Sequence, residues 1–170
     1  MKNDGVLAAI GKKEITVVAH INAKERKTSK KRKKSVSLSD LEKKLDKVFS
    51  QYIRLKEADD GGTVECVTCN QLFHWKDTDC GHFIKRQHRS VRWDERNVGV
   101  QCTRCNHYMG GRQDDYSKYI IKTYGYSVFD ELMRLKYQTM KFSRSDIQQK
   151  IDEYKEKLGS LNVGRNRYCE

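Results

Sequence analysis

Two four-residue stretches, Cys66-Val67-Thr68-Cys69 and Cys102-Thr103-Arg104-Cys105, govern the middle of this chain. Each is a C-x-x-C knuckle, in which two thiolates can approach one ion, and two knuckles complete a tetrahedral structural zinc site. The 32 residues between the knuckles exceed the spacing of a simple zinc ribbon, so another structural unit must fit inside the loop. We therefore predict Zn²⁺ bound by Cys66, Cys69, Cys102 and Cys105.

A disulfide or redox role is the alternative use of these cysteines. Residues 1–30 lack a continuous apolar segment followed by a small-residue cleavage site, so secretion is not expected. The sequence has no run of 18 apolar residues, so we expect a cytoplasmic protein without a membrane partner. Paired knuckles argue against a lone redox motif, and Cys80 and Cys169, which have no partner pattern, are interpreted as free thiols.

The charge of the chain is strongly positive and unevenly distributed. The formal net charge is +12 over 170 residues, and the first 60 residues carry +7 of it. Between Lys24 and Lys34 stand eight basic residues and one acid, a run whose like charges repel one another. We interpret it as a flexible basic arm for a polyanionic partner, with a solvated linker as the alternative.

Helical patterns flank the cysteine-rich segment on both sides. A capping box, Ser39-Asp40-Leu41-Glu42, predicts a leading helix that ends near Ala58. Three later helices are predicted to begin at Asp114 or Asp115, at Ser127 and at Ser143, with stops at Gly125 and Gly159. Apolar stripes over 41–55 and 147–158 predict either packing within one chain or the interface of a homodimer.

The loop between the knuckles carries Asp79-Cys80-Gly81-His82-Phe83. A histidine, a carboxylate and an amide together suit metal-assisted phosphodiester hydrolysis, because imidazole takes a proton from water near neutral pH and oxygen ligands hold Mg²⁺ or Mn²⁺. Gly81 suggests a bulge that exposes the imidazole. The adjacent basic residues suit a phosphate-tracking loop, with a solvated hairpin tip as the alternative; they are Lys85, Arg86, Arg89 and Arg92.

A series of motif positions runs along the chain: Cys66-x-x-Cys69…Asp79-x-Gly81-His82-Phe83…Arg92-Trp93-Asp94-Glu95-Arg96-Asn97-Val98-x-x-Gln101-Cys102-x-x-Cys105-Asn106. This run resembles the NinG (Rap) recombination proteins of lambdoid phages, over about residues 40–158. More distantly it is similar to the HNH or ββα-metal nucleases, including phage endonuclease VII. The resemblance implies an α+β, mostly helical fold, in which a zinc-stapled ββα-metal (HNH-like) core is flanked by helices and preceded by the basic arm.

The resemblance also implies residue roles. His82 takes the position of the general base, on the second strand of a β-hairpin, and Asn97 that of the residue that orients this hairpin. Asn106, opening a helix, and Asp79 take the positions of ligands for the catalytic Mg²⁺ or Mn²⁺. In a regular strand residues 79 and 82 face opposite sides, so Asp79 reaches the metal only if Gly81 forms a bulge. His74, His107 and Glu95 are the alternative candidates for this catalytic and metal-binding site.

We therefore predict a phage recombination protein of the bacterial host cytoplasm that acts as a metal-dependent endonuclease on branched DNA, of Holliday-junction or D-loop type. The alternative is a zinc-dependent DNA-binding accessory protein without catalysis. DNA contacts are predicted from the loop and from the arm residues Lys30, Lys31, Arg32, Lys33 and Lys34. The predicted organisation is a basic flexible arm (1–38), a leading helix (39–60), a zinc-bound HNH-like nuclease core (61–112), a C-terminal helical region (113–158) and a tail (159–170).

Overall fold

The computed structural model describes the backbone of residues 36–166 and the side chains of residues 36–161. The arm residues Lys30, Lys31, Arg32, Lys33 and Lys34 lie outside the described residues, as does Cys169. Over the described range the fold is α+β and mostly helical, as predicted. Its elements are α1 (Leu38–Lys56), β1 (Thr63–Glu65), β2 (Leu72–His74), β3 (Thr78–His82), β4 (Val98–Cys102), α2 (Gln113–Tyr124), α3 (Tyr126–Leu135) and α4 (Arg144–Asn166).

The N-cap of helix α1 lies two residues earlier than predicted. Ser37, not Ser39, is the N-cap: its Oγ accepts a hydrogen bond from the Asp40 amide at 3.1 Å and donates to the Asp40 carboxylate at 2.6 Å. Ser37 and Asp40 thus make the capping interaction that was expected two residues later, between Ser39 and Glu42. The helix ends at Lys56, close to the predicted end.

Helices α1 and α4 pack against each other within one chain. The buried side chains of the two predicted stripes meet in a single core with Trp93 and Val98; those side chains are Leu41, Leu45, Phe49, Ile53, Ile147, Ile151 and Tyr154. Of the two predicted uses of these stripes, packing within one chain is the one observed. The homodimer stays a prediction, but the side chains that these stripes bury within one chain are not available for its interface. Within residues 36–166, no helix combines the length and apolar character needed to cross a membrane.

The C-terminal helices begin within two residues of the predicted starts. Helix α2 begins at Gln113 after Arg112 and not at a cap of Asp114 or Asp115, and α3 begins at Tyr126, one residue before Ser127. The last helix begins as predicted but ends later. Ser143 and Asp146 form a capping box, with the Ser143 amide 2.8 Å from the Asp146 carboxylate and the Asp146 amide 3.2 Å from the Ser143 hydroxyl. Helix α2 stops at Gly125, whose φ of +89° is left-handed, as a helix stop requires. Helix α4, in contrast, continues through Gly159 to Asn166, because one exposed helical glycine costs only about 1 kcal/mol.

A second core joins α2 and α3 to the loop that follows β3. Tyr116, Ile120 and Leu132 bury their side chains against this loop. On the loop side the contacts come from Phe83, Ile84 and Val91. The loop from residue 83 to residue 97 is therefore anchored on helices rather than projecting as an open hairpin tip.

The strands form two separate antiparallel pairs, β1 with β2 and β3 with β4. The pairing of β3 with β4 is continuous from Thr78 opposite Cys102 to His82 opposite Val98. The predicted bulge at Gly81 was therefore wrong, and His82 ends the first strand of its pair rather than lying on the second. Gly81 has another reason to be glycine: a Cβ there would lie 2.1 Å from Oε1 of Gln101, whose buried side chain fills the space.

Candidate functional site

The four knuckle cysteines form a compact cluster. Their Sγ atoms all lie within 4.8 Å of one another, and those of Cys69 and Cys102 are 4.0 Å apart. Zinc–sulfur bonds of ~2.3 Å in a tetrahedron place sulfur atoms roughly 3.8 Å apart, so the cluster has the dimensions of a Cys₄ zinc site. Three of the cysteines are buried, with Phe73 packed against them. The cluster fits the predicted zinc ligands Cys66, Cys69, Cys102 and Cys105.

Hydrogen bonds to sulfur prepare this cluster for a cation. Burial alone would raise the pKa of the Cys66 thiol, but bonds from the Thr68 hydroxyl and from the Cys102 amide outweigh it and lower that pKa to about 6. Burial raises the pKa of Cys69 to about 12 and raises that of Cys102 as well. One thiolate thus forms readily, and a bound cation would supply the charge that stabilises the others.

A small cavity of about 140 Å³ lies between α1, β3 and the segment after β4. Its wall brings together three residues predicted for catalysis and metal binding, His82, Asp79 and Asn106, and one alternate, His107. The other lining residues are Asp46, Phe49, Ser50, Cys80 and Arg86. Larger surface depressions of about 470–560 Å³ contain neither His82 nor Asn106. The candidate site is therefore identified by the residues that line the small cavity and not by the volume of that cavity.

His82 is held in one tautomer by the backbone. Its Nε2 lies 3.0 Å from the carbonyl oxygen of Arg92. Because a carbonyl only accepts, Nε2 carries the proton and Nδ1 is the basic nitrogen of the neutral ring. Burial lowers the pKa of His82 below its usual value, and the bond to the Arg92 carbonyl opposes that shift only in part. The ring is therefore neutral and basic at neutral pH.

Asn97 fixes the loop that follows His82. It is completely buried, and its side chain accepts from the Ile84 amide at 2.8 Å and donates to the carbonyls of Ile84 and Val91, each at 2.9 Å. These bonds join the start of the loop to its far side. The orienting role of Asn97 stays a prediction, and these bonds offer a physical basis for it. Val91, whose carbonyl Asn97 binds, directly precedes Arg92, whose carbonyl contacts His82.

Asp79 presents one buried oxygen to the cavity wall. Its Oδ2 has no hydrogen bond, although Nε2 of His107 lies 3.2 Å away at ion-pair distance without hydrogen-bond geometry. Asp79 lines the cavity together with His82 even though the strand is regular. Among the His, Cys, Asp and Glu side chains of residues 36–161, only the four knuckle cysteines gather closely enough to share an ion as a group of three or more.

Asn106 lies in an unusual turn. It was predicted to open a helix, but it sits inside a single π-helical turn, Arg104–Tyr108, and the next α-helix begins only at Gln113. The left-handed Gly110 and Gly111, with φ of +61° and +87°, end the turn and prevent its continuation. A π-turn widens the helix locally. Asn106 and His107 line the cavity, whereas Cys105 belongs to the four-cysteine cluster.

The four predicted loop cations divide into two pairs. Lys85 and Arg86 are exposed and, among the residues described, form no ion pair, and Arg86 lines the cavity. Arg89 instead forms an ion pair with Glu42, and Arg92 pairs with the carboxylate of Asp46 at 2.5 Å. A role for Arg89 or Arg92 in binding DNA would require these ion pairs to open.

Asp46 is the site residue that the sequence patterns missed. From α1 it accepts hydrogen bonds from Nε and Nη2 of Arg92, at 3.1 and 2.5 Å, and from Nε1 of Trp93 at 2.9 Å. It thereby fixes the residue whose carbonyl holds His82. No local signal marks this acid, because its partners lie 46 and 47 positions away along the chain.

Three further residues complete the surroundings of the site. Glu95 forms ion pairs with Lys56 and Lys157, at 3.3 and 3.1 Å, so this alternate serves to join helices and does not line the cavity. The alternate His74 is exposed and also lies outside the cavity wall. Cys80 does line it, but burial raises the pKa of its thiol to about 12, which makes it a poor nucleophile at neutral pH.

Comparisons with known proteins confirm the resemblance to the NinG family. The family model described as "Bacteriophage Lambda NinG protein" matches residues 3–163. The chain is 25% identical over 127 residues to "Protein ninG" of Salmonella phage P22, an alignment that covers 73% of this chain. The chain spans 59% of the length of that relative. No solved structure matches.

Proposed function

We propose that this chain, which belongs to the NinG family of bacteriophage proteins, is a metal-dependent endonuclease that cuts branched DNA during phage recombination. The observation that carries the proposal is the cavity that unites His82, Asp79 and Asn106 beside the four-cysteine cluster. In this proposal β3, β4 and the π-turn after them are the counterparts of a ββα-metal core. The protein acts in the cytoplasm of the bacterial host, on Holliday-junction or D-loop structures.

His82 supplies the base in the proposed reaction. Its Nδ1 takes a proton from a water molecule as the water oxygen attacks phosphorus, because Nε2 keeps its own proton in the bond to the Arg92 carbonyl. The bond between phosphorus and the 3′ oxygen breaks, which leaves a 5′-phosphate and a 3′ oxygen that takes a proton from solvent. The lowered pKa of His82 keeps the base unprotonated at neutral pH.

Asp79 and Asn106 are the residues that would hold Mg²⁺ or Mn²⁺. A buried carboxylate oxygen without a hydrogen bond, such as Oδ2 of Asp79, fits a hard cation, which takes oxygen ligands. Asn106 adds an amide oxygen to the same cavity wall. A bound Mg²⁺ would stabilise the negative charge on the phosphate and on the departing 3′ oxygen.

DNA contacts in this proposal come first from Lys85 and Arg86. Their positive charges are not neutralised by an ion pair in the described part of the chain, and Arg86 lies at the cavity itself. Contacts of this kind follow the phosphate backbone and do not read bases, so they suit recognition by DNA structure. The basic arm would add affinity that falls with rising salt.

The second candidate is a zinc-dependent DNA-binding accessory without catalysis. One observation favours it: the cavity lacks a group of three His, Cys, Asp or Glu side chains that could share an ion among the residues described. A single experiment separates the two. Purified zinc-loaded protein is incubated with a four-way junction or a linear duplex, with Mg²⁺ either added or withheld, without a chelator. Binding combined with Mg²⁺-dependent cutting of the junction supports the nuclease, whereas binding without cutting supports the accessory.

A further inference from the structure

An aromatic side chain projects from the π-turn next to the cavity. Tyr108 is 84% exposed, the largest exposed fraction of any large apolar residue in the described part of the chain. It directly follows Asn106 and His107, which line the cavity. Nothing in the proposed reaction uses this ring, and burial in the protein does not explain it.

We propose that Tyr108, with Arg104 beside it, stacks on a nucleobase that has left the double helix at the branch of the DNA. This inference rests on the proposed function, because it specifies how the same site selects its substrate. A flat aromatic ring can stack on any base, since every base has a π-face, and such stacking needs no particular sequence. An unpaired base is available at a branch and not within a regular duplex, so the contact favours branched DNA.

The backbone around Tyr108 is held rigidly. The amide of Met109 donates to the carbonyl of Arg104 at 3.0 Å, and that of Gly111 donates to the carbonyl of Cys105 at 2.9 Å. Nε2 of the buried Gln101 donates to the carbonyl of Gly111 at 3.0 Å. A ring on such a turn loses little conformational freedom when a ligand stacks on it, because the backbone is already ordered.

Arg104 gives this surface its charge. Because the hydrogen bond of the π-turn spans five residues, Arg104 and Tyr108, four positions apart, lie near the same face of that turn. The guanidinium is exposed and makes no ion pair with any residue the structure describes. A cation next to an aromatic ring matches the combination of phosphate and base in an unpaired nucleotide, and a protein partner would have no need of that pairing.

The distance from Tyr108 to the cavity is short enough for a base stacked on the ring to belong to the strand that is cut. Two residues separate the Cα atoms of Asn106 and Tyr108 by at most about 7 Å. Adjacent bases of a strand are ~3.4 Å apart along the helix, so the stacked base would lie within roughly two or three nucleotides of the cut. The contact therefore relates the position of the branch to the position of the cut.

The test uses a fluorescent base and no catalysis. A DNA flap carries 2-aminopurine as the unpaired base at its branch, and the full chain is added with zinc but without Mg²⁺. We expect the parent and Tyr108→Phe to quench the fluorescence, whereas Tyr108→Ala does not quench it and binds the flap about tenfold more weakly. We expect the affinity of Tyr108→Ala for a linear duplex to equal that of the parent. The matched control is Tyr137→Ala, because Tyr137 is also exposed, at 78%, and does not line the cavity.

The outcomes separate this inference from the proposed nuclease. If Tyr108→Ala quenches and binds like the parent, or if the parent does not bind the flap, the stacking surface is refuted. If quenching depends on Tyr108 but restored Mg²⁺ gives no cutting, the stacking surface stands and the nuclease is refuted. If cutting depends on His82 while quenching does not depend on Tyr108, the nuclease stands and the stacking surface is refuted.

Discussion

Replacing Asn97 by alanine measures how strongly the loop behind His82 is fixed. The side chain is fully buried and makes three hydrogen bonds, two with Ile84 and one with Val91. In Asn97→Ala the Ile84 amide and carbonyl lose these partners inside the protein, whereas the Val91 carbonyl still accepts from the Asp94 amide at 3.3 Å. Each of these two orphaned groups costs about 1–3 kcal/mol, so we expect a loss of about 2–6 kcal/mol in the free energy of unfolding.

The assay is urea unfolding at a fixed excess of zinc, followed by circular dichroism. Asn106→Ala is the matched control, because Asn106 is the same residue type on the partly exposed cavity wall, and we expect it to change stability by less than about 0.5 kcal/mol. The loss expected for Asn97→Ala would be a large part of a total stability of about 5–15 kcal/mol. If Asn97→Ala and Asn106→Ala unfold at the same urea concentration, the hydrogen bonds of Asn97 do not fix the loop.

Three further predictions concern the metal, a glycine and pH. Metal analysis should find about one zinc per chain, and Cys102→Ser should lose both the zinc and the cooperative unfolding transition; retained zinc would contradict the cluster. Gly81→Ala should destabilise the protein by about 1–3 kcal/mol because of Gln101, whereas Gly159→Ala, at an open helical position, should stabilise it by roughly 0.5–1 kcal/mol; equal effects would contradict the fit at Gly81. The pKa of His82 is lower in the folded chain than in the unfolded one, so unfolding takes up a proton as pH falls. The contribution of His82 to stability is therefore complete above about pH 6.5 and decreases below it, and an unfolding series of parent and His82→Gln between pH 7.5 and 5 should converge at low pH.

Features with a local signal were predictable from the sequence. The two knuckles predict the four-cysteine cluster because C-x-x-C spacing brings its own two sulfur atoms together. Caps and apolar spacing likewise predict the helices. The start of α1 was displaced by two residues because Ser37 and Ser39 both offer a capping hydroxyl three residues or fewer from an acid, and only the folded chain selects between them.

Features that depend on distant partners were not predictable. Gly81 was interpreted as a bulge, but its reason is the Gln101 side chain on the neighbouring strand. The hydrogen bonds between the Arg92 guanidinium and Asp46 on α1 were not foreseen either, and the DNA contact of Arg92 stays a prediction. Asp46 itself carries no motif. In each case the decisive contact forms between elements that only the tertiary structure brings together.

The rate at which His82→Ala cuts DNA is the most direct test of the proposed nuclease. Single-turnover cleavage of a four-way junction with Mg²⁺ is compared among the parent, His82→Ala and His74→Ala, since His74 is an exposed histidine outside the cavity. Circular dichroism and zinc content confirm that all three are folded. We predict that the parent and His74→Ala cut at similar rates and that His82→Ala is slower by roughly 100-fold or more. A His82→Ala protein that cuts the junction as fast as the parent would contradict the assignment of the base.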